Sequence, residues 1–181
     1  MIFQINYRTD KYDWYIEKNQ DIIKQLDYKL FDDDEIDYFL SHYKWKEQFD
    51  SIIVHESEKW QEIAIKCDFL RLLILYELGG TYIDVDVIFY DNILNMESYL
   101  DIKFGHRNIV TENRSLYFIR GIKHSSYIKS LIDVYLFDKK LSYDITQIPI
   151  KTFFNFRNNV AIIGVNTLEM YFYHKPHGED K

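Results

Sequence analysis

A single cysteine, Cys67, excludes an internal disulfide and leaves no thiolate cluster to hold a metal. That usage agrees with a reducing compartment. The opening MIFQINY is apolar but too short for a secretory leader, and it lacks the basic stretch that would begin one. The apolar run Phe69–Leu75 is interrupted by Arg71 and falls far short of a membrane span. A soluble, cytoplasmic protein with no membrane span is therefore expected. A basic patch is also missing, and a net charge of −7 gives no broad footprint for a polyanion, so nucleic acid is not an expected partner. There is no HExxH-type histidine spacing, no wider glycine pattern of a phosphate loop and no G-x-S-x-G elbow. Zinc hydrolysis, P-loop phosphate binding and serine-hydrolase chemistry lose their usual signatures with them.

Aromatic residues are abundant instead, with 16 Tyr and 13 Phe in 181 residues of which 47% are hydrophobic. Such a chain buries a real core, and extended disorder is not expected. Residues 1–181 read as one compact domain, complete or part of a longer polypeptide. Tyrosine buries its ring while keeping a wet hydroxyl, which suits pocket walls.

Periodicity predicts a strand over Ile2–Tyr7 and a helix over Tyr12–Gln25, with Trp14, Tyr15, Ile22 and Ile23 as its apolar positions. A short strand is expected at Tyr28–Phe31, and Asp32–Asp34 can cap the helix that EIDYFLSHY suggests. His55–Leu78 carries the strongest helical pattern, through Trp60, Ile63, Ala64, Cys67, Ile74 and Leu78. Gly79 and Gly80 close it. Tyr82–Tyr90 reads as a strand that is apolar on both sides apart from two aspartates, which places it centrally in a sheet with helices on both faces. Helix followed by buried strand points to an α/β layered domain. Further along, strands are expected at Asp101–Arg107, Ser115–Arg120 and Val160–Val165, and a helix at Ser125–Phe137. Pro149 interrupts Ile148–Phe156.

Asp84 and Asp86, two apart on the expected strand, face the same way. Neighbouring carboxylates repel and are costly to desolvate, and a divalent cation such as Mg²⁺ or Mn²⁺ resolves both costs. The alternative is a strand end dipping into water, with each aspartate solvated or paired with lysine. Asp68 and Arg71, three apart on the preceding helix, are near enough to pair. Either they pin that helix as a buried pair, or Asp68 meets a hydroxylated ligand while Arg71 orients the aspartates or meets phosphate. His106 and His124 lie near expected loop ends, and His174 and His177 follow YFY. His42 and His55 sit in polar surroundings.

The stretch AIKCDFLRLLILYELGGTYIDVDV resembles the core of the glycosyltransferases that carry a DXD motif in a sugar-binding region. These include Och1-like mannosyltransferases and bacterial capsule and lipooligosaccharide transferases, with the large clostridial glucosylating toxins as distant relatives. The matching positions are Ala64, Asp68, Arg71, Leu75–Tyr76, Gly79–Gly80, Tyr82, Asp84 and Asp86. IFQIN resembles the family's first strand, with Gln4 in place, Phe3 where histidine is common and Asn6 where tryptophan is common. YKLFDDDE resembles its Trp-x-Asp-Asp segment, with Phe31 replacing the tryptophan.

The resemblance implies a GT-A-like fold, a mixed central sheet flanked by helices, with the nucleotide at the carboxyl ends of the first strands. It implies hexosyl or deoxyhexosyl transfer from a UDP- or GDP-linked sugar to a glycan or other hydroxyl acceptor, with Mn²⁺ or Mg²⁺, as in polysaccharide biosynthesis. Asp86 would then bind metal directly, Asp84 would contact ribose or sugar hydroxyls and share the metal, and His174 is preferred over His177 as a further ligand. Gln4, Ile5, Asn6, Phe31, Asp68, Arg71, Gly80, Tyr82 and Asp84 would line the donor, and Asp84, Asp86 and Arg71 would serve the transfer step. The second half is short and lacks the family's Gly-Pro segment, so the expected acceptor site is shallow or completed by something outside this sequence. Two other functions compete: a metal-dependent phosphoester hydrolase and a non-catalytic nucleotide- or sugar-binding module.

Overall fold

The computed structural model describes residues 1–52, 59–104, 109–111, 117–137, 160–163, 165–168 and 170–174. Three short parallel strands set the frame: β1 (Ile2–Ile5), β2 (Tyr28–Phe31) and β3 (Gly80–Ile83). β1 lies between the other two, with Ile2 opposite Tyr28 on one side and Thr81 on the other. The crossover from β1 to β2 is α1 (Asp13–Ile23). That from β2 to β3 runs through α2 (Asp33–His42), α3 (Lys46–Asp50) and α4 (Lys59–Leu78). Past β3 the sheet continues with β6 (Phe118–Gly121), β5 (Ile109–Thr111) and β7 (Val160–Ile162). β6 is antiparallel to both of its neighbours, so the six-stranded sheet, in the order β2-β1-β3-β6-β5-β7, is mixed.

Strand alternation sorts the apolar residues into two cores, one on each face. Phe3, Ile5, Tyr82, Ile109 and Ile119 join α2, α3, α4 and α6 (Ser126–Phe137) on one side. Ile2, Ile83, Val110 and Phe118 face the other side, toward α5 (Met96–Phe104) and the partly buried Ile22 and Ile23 of α1. The long α4 is buried all round over Phe69–Leu75, as its sequence suggests. No helix among the described residues is long and apolar enough to cross a membrane.

Asp32 caps α2 as expected, its side chain accepting from the N–H of Glu35 at 3.0 Å. Gly79 and Gly80 have φ of +70° and +108°, and a Cβ on Gly80 would stand 2.7 Å from the carbonyl oxygen of Met1. The pair ends α4 and lets β3 start tightly against β1.

Two expectations fail. Tyr82–Tyr90 is not one strand: β3 stops at Ile83, a turn occupies Val85–Asp86, and β4 (Val87–Phe89) belongs to a separate two-stranded sheet with β8 (Phe172–His174). The N–H of Asp84 still donates to the carbonyl of Tyr117, one pair beyond Ile83↔Phe118, but its own carbonyl accepts the side-chain amide of Gln4 and the chain then turns. The expected strand at Asp101–Arg107 is instead the end of α5 as far as Phe104, and the rest lies outside the described residues. Met96, Leu100 and Phe104 recur at four-residue spacing and pack on the core, while Ile102 is 87% exposed. Of Val160–Val165, β7 takes the first three residues, and Val165 begins the short helix α7 (Val165–Leu168). Ile148–Phe156 lies outside the described residues.

Candidate functional site

The carboxyl ends of β1, β2 and β3 meet at one edge of the sheet, the edge at which open α/β sheets bind ligands. Asp84 is the first residue past β3 and is held from several directions. Its Oδ1 accepts the Tyr82 hydroxyl at 2.6 Å and lies 3.4 Å from Nη1 of Arg71. Nη2 of the same arginine pairs with Oδ1 of Asp68, one helical turn earlier on α4. The guanidinium also sits over the Tyr82 ring, 4.5 Å from its centroid. On the opposite face, Nε2 of Gln4 donates to the backbone carbonyl of Asp84 at 2.7 Å, and Tyr28 donates its hydroxyl to Oε1 of Gln4 at 2.8 Å. Both polar ends of a fully buried Gln4 are thereby satisfied.

Arg71 is buried. Burial works against its charge, but the carboxylate of Asp68, then Tyr82 and Asp84, more than restore it, and its pKa is raised. Asp68, with a side chain 26% exposed, has its pKa raised to about 6 by burial, against the pull of Arg71. Arg71, Asp68 and Asp84 together leave a net negative charge at this edge, which favours a cation. Tyr12, at the start of α1, belongs to the same neighbourhood. Burial first, then the carboxylates of Asp86 and Asp84, push its hydroxyl up to about 12, so it stays protonated. Asn6, just past β1, gives an amide hydrogen to Asp13 at 3.4 Å, while its buried Oδ1 has no hydrogen-bond partner among the described residues.

Asp86 sits in the turn itself, immediately before β4. Opposite β4, His174 is in backbone register with Val87, one residue beyond Asp86. His177, His106 and His55 lie outside the described residues. His124 is not part of this edge. It lies 3.6 Å from Glu77 and against the Tyr76 ring, at the end of α4 where β3 begins. His42 is exposed on α2. Among the described residues no group of three His, Cys, Asp or Glu side chains stands ready around a metal position. Two carboxylates in one turn still offer the hard oxygen donors that Mg²⁺ and Mn²⁺ prefer, and such ions commonly share their coordination with substrate phosphates.

Other expected site residues turn inward. Phe31 is buried edge-on between Phe3 at 5.7 Å and Phe39 at 6.0 Å, so its ring has no free face for a base. Ile5 is a core residue, and Gly80 lies at the far end of β3 from Asp84, against Met1. Tyr82 is buried too, and acts on Asp84 rather than at the surface.

Sequence reasoning missed Tyr12, Tyr28 and Asn19. Asn19 is 1% exposed and bonds to both Val87 and Phe89 of β4. The signal was a polar residue within the stripe of Tyr15, Ile22 and Ile23. Trp14, read as part of that stripe, is 51% exposed.

The family model described as glycosyltransferase sugar-binding region containing DXD motif matches residues 6–113, more than half of the chain. The match takes in Asp68, Arg71 and both aspartates of the turn, and ends before β6. A search of curated proteins gave no match.

Proposed function

The chain belongs to the glycosyltransferase family whose sugar-binding region contains a DXD motif, and from that premise we propose a metal-dependent transfer of a hexosyl or deoxyhexosyl unit from a nucleotide-diphosphate sugar to a hydroxyl acceptor. The observation that carries this reading is the Asp68–Arg71–Asp84 network at the carboxyl edge of three parallel strands, with Asp86 two residues on. Arg71 neutralises part of the acidic charge and fixes the orientation of Asp84, while Tyr82 holds the same oxygen. Asp68 keeps an exposed edge that suits a sugar hydroxyl. The open acceptor on Asn6, at the end of β1, suits an N–H or hydroxyl of the nucleoside.

Asp86, with Asp84 and His174, would hold Mn²⁺ or Mg²⁺. Bound there, the ion supplies positive charge against the negative charge that gathers on the departing nucleoside diphosphate. The protein's own part is to align the donor along this edge and keep Asp84 in one orientation. The protonated Tyr12 hydroxyl is a hydrogen-bond donor beside the same carboxylates. A UDP- or GDP-linked donor, a glycan acceptor and a role in polysaccharide biosynthesis complete the proposal. A phosphoester hydrolase working with two metals needs further ligands, and no such group occurs among the described residues.

The deciding experiment supplies UDP- and GDP-sugars with and without Mn²⁺ and follows hydrolysis or transfer. Metal-dependent turnover that disappears in Asp86→Ala, with the fold retained, is expected. Donor binding without turnover on any acceptor would favour a binding module instead.

A further inference from the structure

β4 has a strand neighbour on one edge and a helix on the other. It pairs antiparallel with β8 through Val87↔His174, Ile88↔Tyr173 and Phe89↔Phe172. On the α1 side, Asn19 donates its amide N–H to the carbonyl of Val87 at 2.8 Å and accepts from the N–H of Phe89 at 2.8 Å. One side-chain amide thus fills the acceptor and the donor that flank Ile88, as a peptide of an adjoining strand would. Asparagine is a mediocre helix residue, and a buried amide is costly unless its bonds are made. Here both bonds go to one three-residue strand.

That strand begins at the residue after Asp86, and its partner ends on His174, in register with Val87. Asp84, by contrast, is secured from the other face of the sheet by Arg71 and Tyr82. We infer that Asn19 is a positioning residue for the donor's metal: it ties the β4–β8 ribbon to α1 and so fixes the carboxylate of Asp86 relative to that of Asp84. The inference rests on the metal-dependent donor site proposed above. Without the tie the ribbon can shift as a unit, while the Arg71 network stays in place. Metal binding should then weaken while metal-free nucleotide binding does not.

The test measures Mn²⁺ affinity by calorimetry on the full chain, with UDP or GDP affinity in EDTA measured alongside. The variants are Asn19→Leu, close in size and without the bonds, and Asn19→Asp, which keeps the acceptor and loses the donor. The expected result is Mn²⁺ affinity lower by about 10- to 100-fold, the usual effect of losing a residue that supports metal ligands, with nucleotide affinity in EDTA unchanged. Wild-type Mn²⁺ affinity in a folded variant overturns the inference. So does a parallel loss of metal-free nucleotide binding, which would mark Asn19 as purely structural. If the wild type binds nucleotide but no Mn²⁺, the metal-dependent donor site itself is wrong, and this inference falls with it. Should neither variant fold, amide exchange in the wild type decides. Because coupling is reciprocal, Mn²⁺ should slow exchange at the Phe89 N–H, and an unchanged rate there overturns the inference.

Discussion

Asp84 and Asp86 stand two residues apart, yet they are secured by unlike means from opposite faces of the sheet. Asp84 is bound by charge, between the guanidinium of Arg71 and the hydroxyl of Tyr82, with Asp68 on the far side of the arginine. Asp86 precedes a ribbon bound by backbone geometry, through β8 on one edge and the amide of Asn19 on the other. The difference assigns separate sensitivities. Perturbing ionisation should disturb the Asp84 side first, and perturbing the ribbon should disturb Asp86 first.

The largest effect should come from Arg71→Ala, which strands the carboxylates of Asp68 and Asp84 without their buried counter-charge. Urea unfolding should show a loss of about 3–5 kcal/mol, and a loss below about 1 kcal/mol, the level of a surface pair, would contradict the buried network.

Next comes pH. Asp68 has a folded pKa of about 6 against an ordinary value of 3.8, so the folded state holds its proton more tightly. Its contribution to stability is therefore fully present at low pH and is lost as pH rises through about 4 to 6, by an amount on the order of 2–3 kcal/mol. The stability of the wild type minus that of Asp68→Asn should fall across that window, whereas a flat difference would mean that the Asp68 carboxylate ionises there as it does in water.

Tyr82→Phe removes one hydrogen bond to a carboxylate and should cost about 1.5 kcal/mol, the lower end for a charged acceptor that is partly solvated. The smallest effect belongs to His124→Ala, at the opposite end of β3. Its contact with Glu77 is half exposed, so the loss should stay under about 1 kcal/mol, with donor binding unchanged. Weakened donor binding in that variant would show that the two ends of β3 are not independent.

Much of the first half was legible in the sequence because local signals agreed there. β2, the Asp32 cap and the buried length of α4 followed from periodicity and capping chemistry, and the Asp68–Arg71 pairing followed from helical spacing. The aspartate turn was not legible, since valine, isoleucine and phenylalanine on both sides imitate one continuous strand. What accompanies the end of the strand is non-local: the side-chain amide of Gln4, from β1, takes the carbonyl of Asp84. α5 was misread for a related reason, because its helical stripe begins at Met96, ahead of the segment taken as a strand. Phe31 shows the limit of positional correspondence, for the residue standing at the tryptophan of the Trp-x-Asp-Asp pattern is here a core side chain. The break in the α1 stripe marks Asn19 as a buried polar residue, but its partners and the place of Tyr12 depend on how α1 lies over β4 and the turn, which no local pattern encodes.

The central claim is that this turn binds a nucleotide sugar through a divalent cation. Thermal unfolding of wild type and Asp86→Ala, with UDP- and GDP-sugars in Mn²⁺ or in EDTA, tests it most directly, because a ligand that binds only the folded state raises its melting temperature. The account predicts a stabilisation by at least one donor that is larger in Mn²⁺ than in EDTA in the wild type, with that excess lost in Asp86→Ala. Equal stabilisation of both proteins, or stabilisation indifferent to metal, would contradict it.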